Sequence, residues 1–541
     1  MRGVTRYLGG LPRPVRLILL SSSLFYVFGI WWGLPSFSGW AVDELMPSGV
    51  LEGIDQRFSG GWRYKYPPFH FFLLTVFYTP ALVLRALGAL DLNALPAYTT
   101  LAFVGRFVSV CMALGLLVVV YRCGRELYEE RAAVFATFIA AFTMPFTYYA
   151  KIANMEVPYL FWFMLSMLGY LRVLKRHELR DYLLLTISAA LCIATKDHAA
   201  FLFIPMPVIL VVEHYRQVRR LNPRAGLTTT LLGRKLLWSF AVGLAVLLLA
   251  DNVVFNWEGT VGRFRSAMGG TAIIRPRFDN TVAGHLAMLV QSVRHLRFAL
   301  GWPLFVVCLL GLWTCRRDRG RCGPVGWLWL PLAAYYLLFV SSVRYNDVRY
   351  LLSFALVLAF YGGRFLSDVA GGGGRFAVAR RVLVAVVCLH AVWYAGSVNL
   401  LMAADSRYGV ERWLKEHVSP DARVYGAGDT KFLPRLDGYR ATVTKRPVSR
   451  WVNKWRPEYI IMTPVHDQRA FTAGSPECMF FDRLESGELG YELVLRRWVR
   501  PMASLIDQEE LMRYEHIMRR RIHSNFDKLS PEIRVYRRKN V

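Results

Sequence analysis

Charge is scarce in this chain, and acidic charge is scarcer still. Only 19% of its 541 residues are Asp, Glu, Lys or Arg, against about a quarter in average soluble domains. Lys and Arg number 66 and Asp and Glu 38, a formal net charge of +28. The eight cysteines are scattered, and Cys111, Cys192, Cys308 and Cys388 lie in or beside apolar runs. Cys315 and Cys322 flank a basic loop with no second pair nearby, so no metal-binding cysteine pattern exists. Only Cys478 falls in the C-terminal part, which excludes a disulfide within it. The glycine run Gly371–Gly374 lacks the Lys-Ser/Thr of a phosphate-binding loop and reads as a linker. There is no internal repeat, and no small-x-small cleavage site follows the first apolar run.

What is present is apolar. Hydrophobic residues make up 55% of the chain and the mean hydropathy is +0.31. Sixteen Trp and 27 Tyr suit anchoring at a membrane interface. The basic residues lie mostly in short loops between apolar runs, so they mark topology rather than nucleic-acid binding.

The first run, Leu17–Leu34, follows Arg2, Arg6, Arg13 and Arg16 and reads as an uncleaved span with a cytoplasmic N-terminus. Further spans are expected at Leu101–Val120, Ala132–Tyr149, Met155–Leu174, Tyr182–Thr195, Ala199–Val212 and Leu236–Phe255. Phe298–Trp313, Val325–Val340, Leu351–Gly363 and Val382–Leu401 complete a bundle of about eleven. Alternate loops are basic: Arg122/Arg125/Arg131, Arg172–Arg180, Arg216–Lys235, Arg316–Arg321 and Arg364–Arg381. These face the cytoplasm by the positive-inside rule. Tyr182–Val212 is too short for two full crossings, which need about 40 residues. Both of its flanks are basic, so it reads as a hairpin whose turn, Thr195-Lys196-Asp197-His198, is recessed. Phe69–Leu90 reads as a helix in the outer interface, with His70 on its surface.

The expected organisation is a mostly α, polytopic membrane domain over residues 1–402, with a first external loop at 35–100, and a soluble extracytoplasmic α/β domain over 403–541. In the latter, Asp405-Ser406 caps a helix bearing Val410, Trp413, Leu414 and Val418 at helical spacing. Strands are expected at Arg423–Tyr425, Tyr459–Met462, Tyr491–Leu495 and Ile533–Tyr536. The stretch Arg513–Arg538, with Arg519, Arg520 and Arg521 in a row, reads as a solvated helix face or as a contact for anionic lipid or a polyanionic acceptor.

On this topology ionisable residues from at least six segments gather at the outer face. They are Asp43 and Glu44, Lys65, Arg106, Glu156, Lys196, Asp197 and His198, Asp251, Arg344 and Arg349. Singly, each could be an interfacial anchor. Together, ionisable groups near hydrocarbon mark function. A carboxylate that deprotonates an acceptor hydroxyl, with cations that hold a departing phosphate, suffices for inverting glycosyl transfer. Lys65, Lys196, Arg344 and Arg349 can hold a phosphate.

These residues resemble those of the GT-C glycosyltransferases. More narrowly, the chain is similar to the protein O-mannosyltransferase and aminoarabinose transferase superfamily. The resemblance rests on Asp43-Glu44, Lys65-Tyr66-Pro67-Pro68, Gly105-Arg106, Tyr148-Tyr149-Ala150 through Asn154-Met155-Glu156-Val157-Pro158, Thr195-Lys196 and Arg349-Tyr350-Leu351-Leu352. It implies a GT-C-like fold, a polyprenyl-phosphate sugar as donor and transfer outside the membrane. The acceptor would be a protein, a lipid or a glycan, and the home a prokaryotic cell membrane. It makes Asp43 the catalytic base or its close partner, with Glu44 beside it. It gives Lys65, Tyr66, Arg106, Glu156, Lys196, Asp197, His198, Arg344, Arg349 and Tyr350 to substrate binding. Some relatives bind a divalent cation, for which Glu44 and His198 are the candidate ligands here. Tyr66 precedes the Pro-Pro step where O-mannosyltransferases often have His, and Glu156 stands where relatives often have Asp. The competing reading is a multi-pass transporter or flippase for a lipid-linked or anionic substrate. It calls for repeated halves or mid-membrane charges.

Overall fold

A computed structural model describes residues 10–268, 276–317, 323–464, 471–515 and 520–539, apart from 225, 227–230, 232, 472–473 and 522–524. Arg2, Arg6, Arg319, Arg321, Cys322 and Arg519 lie outside the described residues. The chain divides into two compact units. The first comprises Met1–Val27, Pro47–Leu90 and Val104–Ala395, and the second Phe28–Met46, Asp91–Phe103 and Gly396–Val541.

The first unit is helical. Among the described residues eight helical stretches are long and apolar enough to cross a membrane. All but one coincide with an expected span. The exception is Phe69–Ala86, which the sequence reading laid in the interface. The expected count of about eleven is not reached by helix length. Arg13–Val27, Glu130–Ala141, Leu179–Ile193 and Arg234–Ala250 have 15, 12, 15 and 17 residues. Each falls short of the roughly 20 residues that cross hydrocarbon. The chain is nonetheless a multi-pass integral membrane protein by its repeated apolar helices. Their outer faces remain apolar, with Val76, Phe77, Leu237, Phe240, Leu383 and Leu389 exposed.

Helices approach closely where glycine removes a side chain. A Cβ at Gly363 would lie 2.5 Å from the backbone nitrogen of Ala136, and one at Gly169 would lie 2.6 Å from that of Leu185. Small residues at such crossings let dispersion and backbone contacts hold helices together in lipid. Tyr182 and His214 meet at 3.3 Å (hydroxyl to Nδ1). The helix Leu179–Ile193 and the helix Met206–Leu221 therefore run back alongside each other as the hairpin expected from the basic flanks.

The basic loops converge within this unit. Arg172 Nε and Arg176 Nη2 reach Glu126 Oε1 at 3.1 and 2.7 Å. Arg364 reaches Glu129 at 2.5 Å, and the Lys235 ammonium donates to the His177 carbonyl at 2.6 Å. His70 corrects the sequence reading: it is 1% exposed. It stands on the same face as the buried Phe71, Leu74 and Tyr78, which turn toward protein rather than lipid.

The second unit contains a five-stranded sheet. We number its strands β1 (Arg423–Ala427), β2 (Arg440–Thr444), β3 (Tyr459–Met462), β4 (Tyr491–Arg497) and β5 (Ile533–Arg538). Their order is β2-β1-β3-β5-β4, with β2, β1 and β3 mutually parallel and β5 antiparallel to both β3 and β4. Period-two alternation puts Val424, Ile461 and Val535 on one face, against Val410 and Leu414 of the helix Ser406–His417. Tyr425, Ile460 and Tyr536 face the other side, against Val452, Phe480, Phe481 and Leu484. Asp405 caps the helix Ser406–His417, its carboxylate accepting from the Arg407 amide at 3.0 Å. The four expected strands are present. The sequence reading missed β2, whose side chains are mostly exposed and so lack the apolar alternation that reveals a strand.

Candidate functional site

Glu156 opens the helix Glu156–Arg176, where the helix dipole favours a carboxylate. Its amide is capped by Asn154 Oδ1 at 3.0 Å, which fixes the turn. The side chain is 2% exposed. Lys196, at the hairpin turn, places its ammonium 2.5 Å from Glu156 Oε1, and Arg349 Nη1 stands 3.9 Å from the same oxygen. Two cations thus share one carboxylate oxygen. The second oxygen, Oε2, is buried without a hydrogen-bond partner.

Arg349 is set by a short 3₁₀ turn, Val348–Leu351, which Asp347 caps by accepting from the Arg349 amide at 3.3 Å. Rings enclose the cations. The Lys196 ammonium lies 5.0 Å from the Tyr159 ring centre and 6.0 Å from that of Tyr350. The Arg349 guanidinium lies 5.2 Å from the Tyr350 ring centre. Such rings stabilise ammonium and guanidinium groups through their quadrupoles. His198 stacks on Phe339 at 4.9 Å and 17°, and its Nδ1 meets the Tyr335 hydroxyl at 3.2 Å.

Asp197 faces a second cluster. Arg263 binds both oxygens of Asp251 at 2.7 Å and lies 3.5 Å from Asp197 Oδ1. Asn256 accepts from the Gly61 amide at 3.1 Å and donates to the Trp62 carbonyl at 2.7 Å. That fastens the loop leading to Lys65 and Tyr66. The Phe69 amide then donates to the Ala194 carbonyl at 3.2 Å, tying the Pro-Pro step to the base of the Lys196 turn. The Lys65 ammonium lies 5.0 Å from the Tyr66 ring centre.

The structure therefore brings Glu156, Lys196, His198, Arg349 and Tyr350 into one cluster, with Asp197 at its edge. Arg106 is fully buried in the helix Leu95–Leu127. Arg344 stands in a left-handed conformation (φ 50°), its carbonyl accepting from the Arg277 amide at 2.9 Å. Asp43 and Glu44 belong to the second unit. Asp43 is also left-handed (φ 55°), a strain for a residue with a Cβ that clusters at functional positions. Glu44 is 8% exposed, and its Oε2 would lie 2.9 Å from a Cβ placed on Gly39. Among the described residues no group of three or more His, Cys, Asp or Glu could hold a metal.

Sequence reasoning missed Arg263 and the ring-bearing Tyr159, Tyr335 and Phe339. Arg263 sits in a short polar helix, Trp257–Met268, whose only sequence signal was Asp251, the carboxylate that ends the span before it. The three rings read as ordinary span residues.

Residues 99–238 match the family model of dolichyl-phosphate-mannose-protein mannosyltransferase. No curated protein matches the chain. Among solved structures, the archaeal oligosaccharyltransferase AglB from Archaeoglobus fulgidus is 13% identical, with a TM-score of 0.44 over 83% of this chain and 69% of that one. ArnT from Cupriavidus metallidurans in the apo state is 15% identical, with a TM-score of 0.47 over 89% of this chain and 96% of that one. The same protein bound to undecaprenyl phosphate is 13% identical, with a TM-score of 0.46 over 91% and 99%. The matched segment contains Arg106, Glu156, Lys196 and His198. The family match over residues 99–238 agrees with the resemblance to protein O-mannosyltransferases read from the sequence.

Proposed function

We propose that the protein is a membrane glycosyltransferase that moves a monosaccharide from a polyprenyl-phosphate donor to an acceptor on the extracytoplasmic side, with inversion. The observation that carries this reading is the meeting of Lys196 and Arg349 at Glu156, inside a box of aromatic rings. The matched family takes its sugar from a lipid phosphate, and Glu156 and Lys196 lie in the matched segment.

The chemistry follows from charge. In the donor the sugar C1 is bonded to a phosphate oxygen. As that bond breaks, the electron pair stays on the phosphate, and negative charge grows where Lys196 and Arg349 can neutralise it. Lys196 acts as a point charge with three donors and Arg349 as a planar fork. The acceptor oxygen forms the new bond to C1 from the opposite face. Its proton passes to the Asp43 carboxylate, a step worth about 10²–10⁴-fold in rate. Glu44 lies next to the base, Lys65, Tyr66 and Arg106 contribute to donor binding, and Glu156 orients the two cations.

The test is transfer from polyprenyl-phosphate sugars by the protein in membranes. Asp43→Asn is expected to lose turnover while still binding donor. Lys196→Ala is expected to bind donor more weakly. Equal turnover in Asp43→Asn and wild type removes the base. Translocation of the intact lipid-linked sugar without transfer would favour the transporter reading.

A further inference from the structure

The second unit contains a cavity of about 290 Å³ that the transfer step does not use. It is walled by Ser36, Ser38, Thr430, Arg435, Asp437 and Tyr439, with Ala441 and Val443 of β2 on one side. We propose that this cavity is a site for a neutral sugar unit of a glycan acceptor. The proposal deepens the transferase reading and rests on it.

Three features point to a sugar. The lining offers hydroxyls, one guanidinium and one carboxylate, so it both donates and accepts hydrogen bonds. A polyol suits that mixture, because each of its hydroxyls does the same. Asp437 disfavours an anionic ligand and Arg435 a cationic one. The volume stands at the small end of ligand pockets, about 300–1,000 Å³, enough for a sugar unit rather than a folded partner.

The lining is also held in place before any ligand arrives. Arg435 Nε donates to Glu411 Oε1 at 2.8 Å, and its Nη1 donates to the Leu34 carbonyl at 2.5 Å. Its guanidinium lies 5.4 Å from the Trp40 ring centre and 5.6 Å from that of Tyr408. The Thr430 hydroxyl and the Lys431 amide both donate to Asp429 Oδ1, at 3.4 and 3.0 Å. Fixed polar groups bind with less loss of entropy than mobile ones.

The cavity borders the acidic loop directly. The Lys431 ammonium donates to the carbonyls of Ser38 and Gly39 at 2.6 and 3.3 Å. Glu44 Oε2 lies against Gly39. A sugar resting on Ser38 is therefore one residue from the backbone that the Glu44 carboxylate covers.

The test uses the full-length protein in lipid nanodiscs and saturation-transfer NMR with methyl glycosides of neutral hexoses and pentoses. Inorganic phosphate and an Asp/Glu-rich peptide serve as counter-probes. Wild type is expected to show saturation transfer to at least one glycoside. In Asp437→Ala and in Thr430→Val it should bind about fivefold more weakly, the worth of one lost hydrogen bond, with the melting temperature kept. No glycoside signal in wild type, variant signals equal to that of wild type, or preference for phosphate or the acidic peptide overturns the proposal. Donor turnover measured separately distinguishes the two readings. A protein that binds glycosides here but never consumes a polyprenyl-phosphate sugar refutes the transferase and not the sugar site.

Discussion

The guanidinium of Arg407 lies 3.9 Å from the centre of the Trp40 ring. Arg407 is fully buried and paired with Asp405, Nη2 to Oδ2 at 2.6 Å. Nη1 donates to the Lys431 carbonyl and Nη2 also to the Lys528 carbonyl, both at 2.6 Å. Asp405 in turn accepts from the Trp32 indole at 2.9 Å and the Ser530 amide at 3.1 Å. The segment Trp32–Met46, which carries Asp43 and Glu44, is thus fastened to the sheet domain by side chains nearly 400 residues away in sequence.

Arg407→Lys should therefore impair catalysis without touching a substrate. A lysine keeps the charge but cannot span Asp405, two carbonyls and a stacked ring at once. Turnover is expected to fall at least tenfold, about the effect of a 1.4 kcal/mol change in positioning, with donor affinity retained. Steady-state kinetics with a donor-binding measurement checks it. Unchanged turnover would mean that the fastening does not orient the acids.

Glu156→Gln removes the carboxylate from the buried Lys196 and the partly buried Arg349. Breaking a buried pair by removing one partner costs about 3–5 kcal/mol, so a lower melting temperature is expected in detergent or nanodiscs. Adding Lys196→Met should recover part of the loss, because contacting groups are not additive. A double-mutant cycle with zero coupling would show that Lys196 and Glu156 do not stabilise one another.

Gly39 separates two causes of strain. Its φ is +57°, and a Cβ there would lie 2.9 Å from Glu44 Oε2. Gly39→Ala suffers both penalties, the left-handed conformation alone costing about 1–2 kcal/mol. Gly39→Asn tolerates the left-handed region better but keeps the Cβ. If the displaced Glu44 carboxylate matters, both variants should lose turnover similarly. Recovery in Gly39→Asn would assign the effect to backbone strain.

The sheet domain should weaken in acid through Glu532. Burial raises its carboxyl, but hydrogen bonds from Arg496 and Arg534 outweigh that and hold it below the ordinary carboxylate value. A pKa depressed on folding contributes stability that is complete above the unfolded value. That stability is lost as pH falls through the folded one. Melting temperature measured down through the acid range should therefore fall more steeply in wild type than in Glu532→Gln. Parallel curves would exclude this carboxylate as a source of acid sensitivity.

Apolar length and basic loops depend on local composition, so most spans, the Tyr182–Val212 hairpin and four strands were legible. The exposed strand β2 and the buried face bearing His70 were not, because each depends on what the fold packs against it. Arg263 was equally silent. Its meaning lies in a carboxylate 12 residues back and another at the hairpin turn.

Sequence alone determined that this chain lives in a bilayer and that its ionisable residues are few, since hydrocarbon rejects charge wherever the chain goes. Tertiary structure decided which of them meet. Lys196 reaches Glu156 across 40 residues, and Arg349 joins them from a separate turn. The reason is geometric: helix crossings at glycines such as Gly169 set the distances between span ends, and no local pattern encodes a distance between segments remote in the chain.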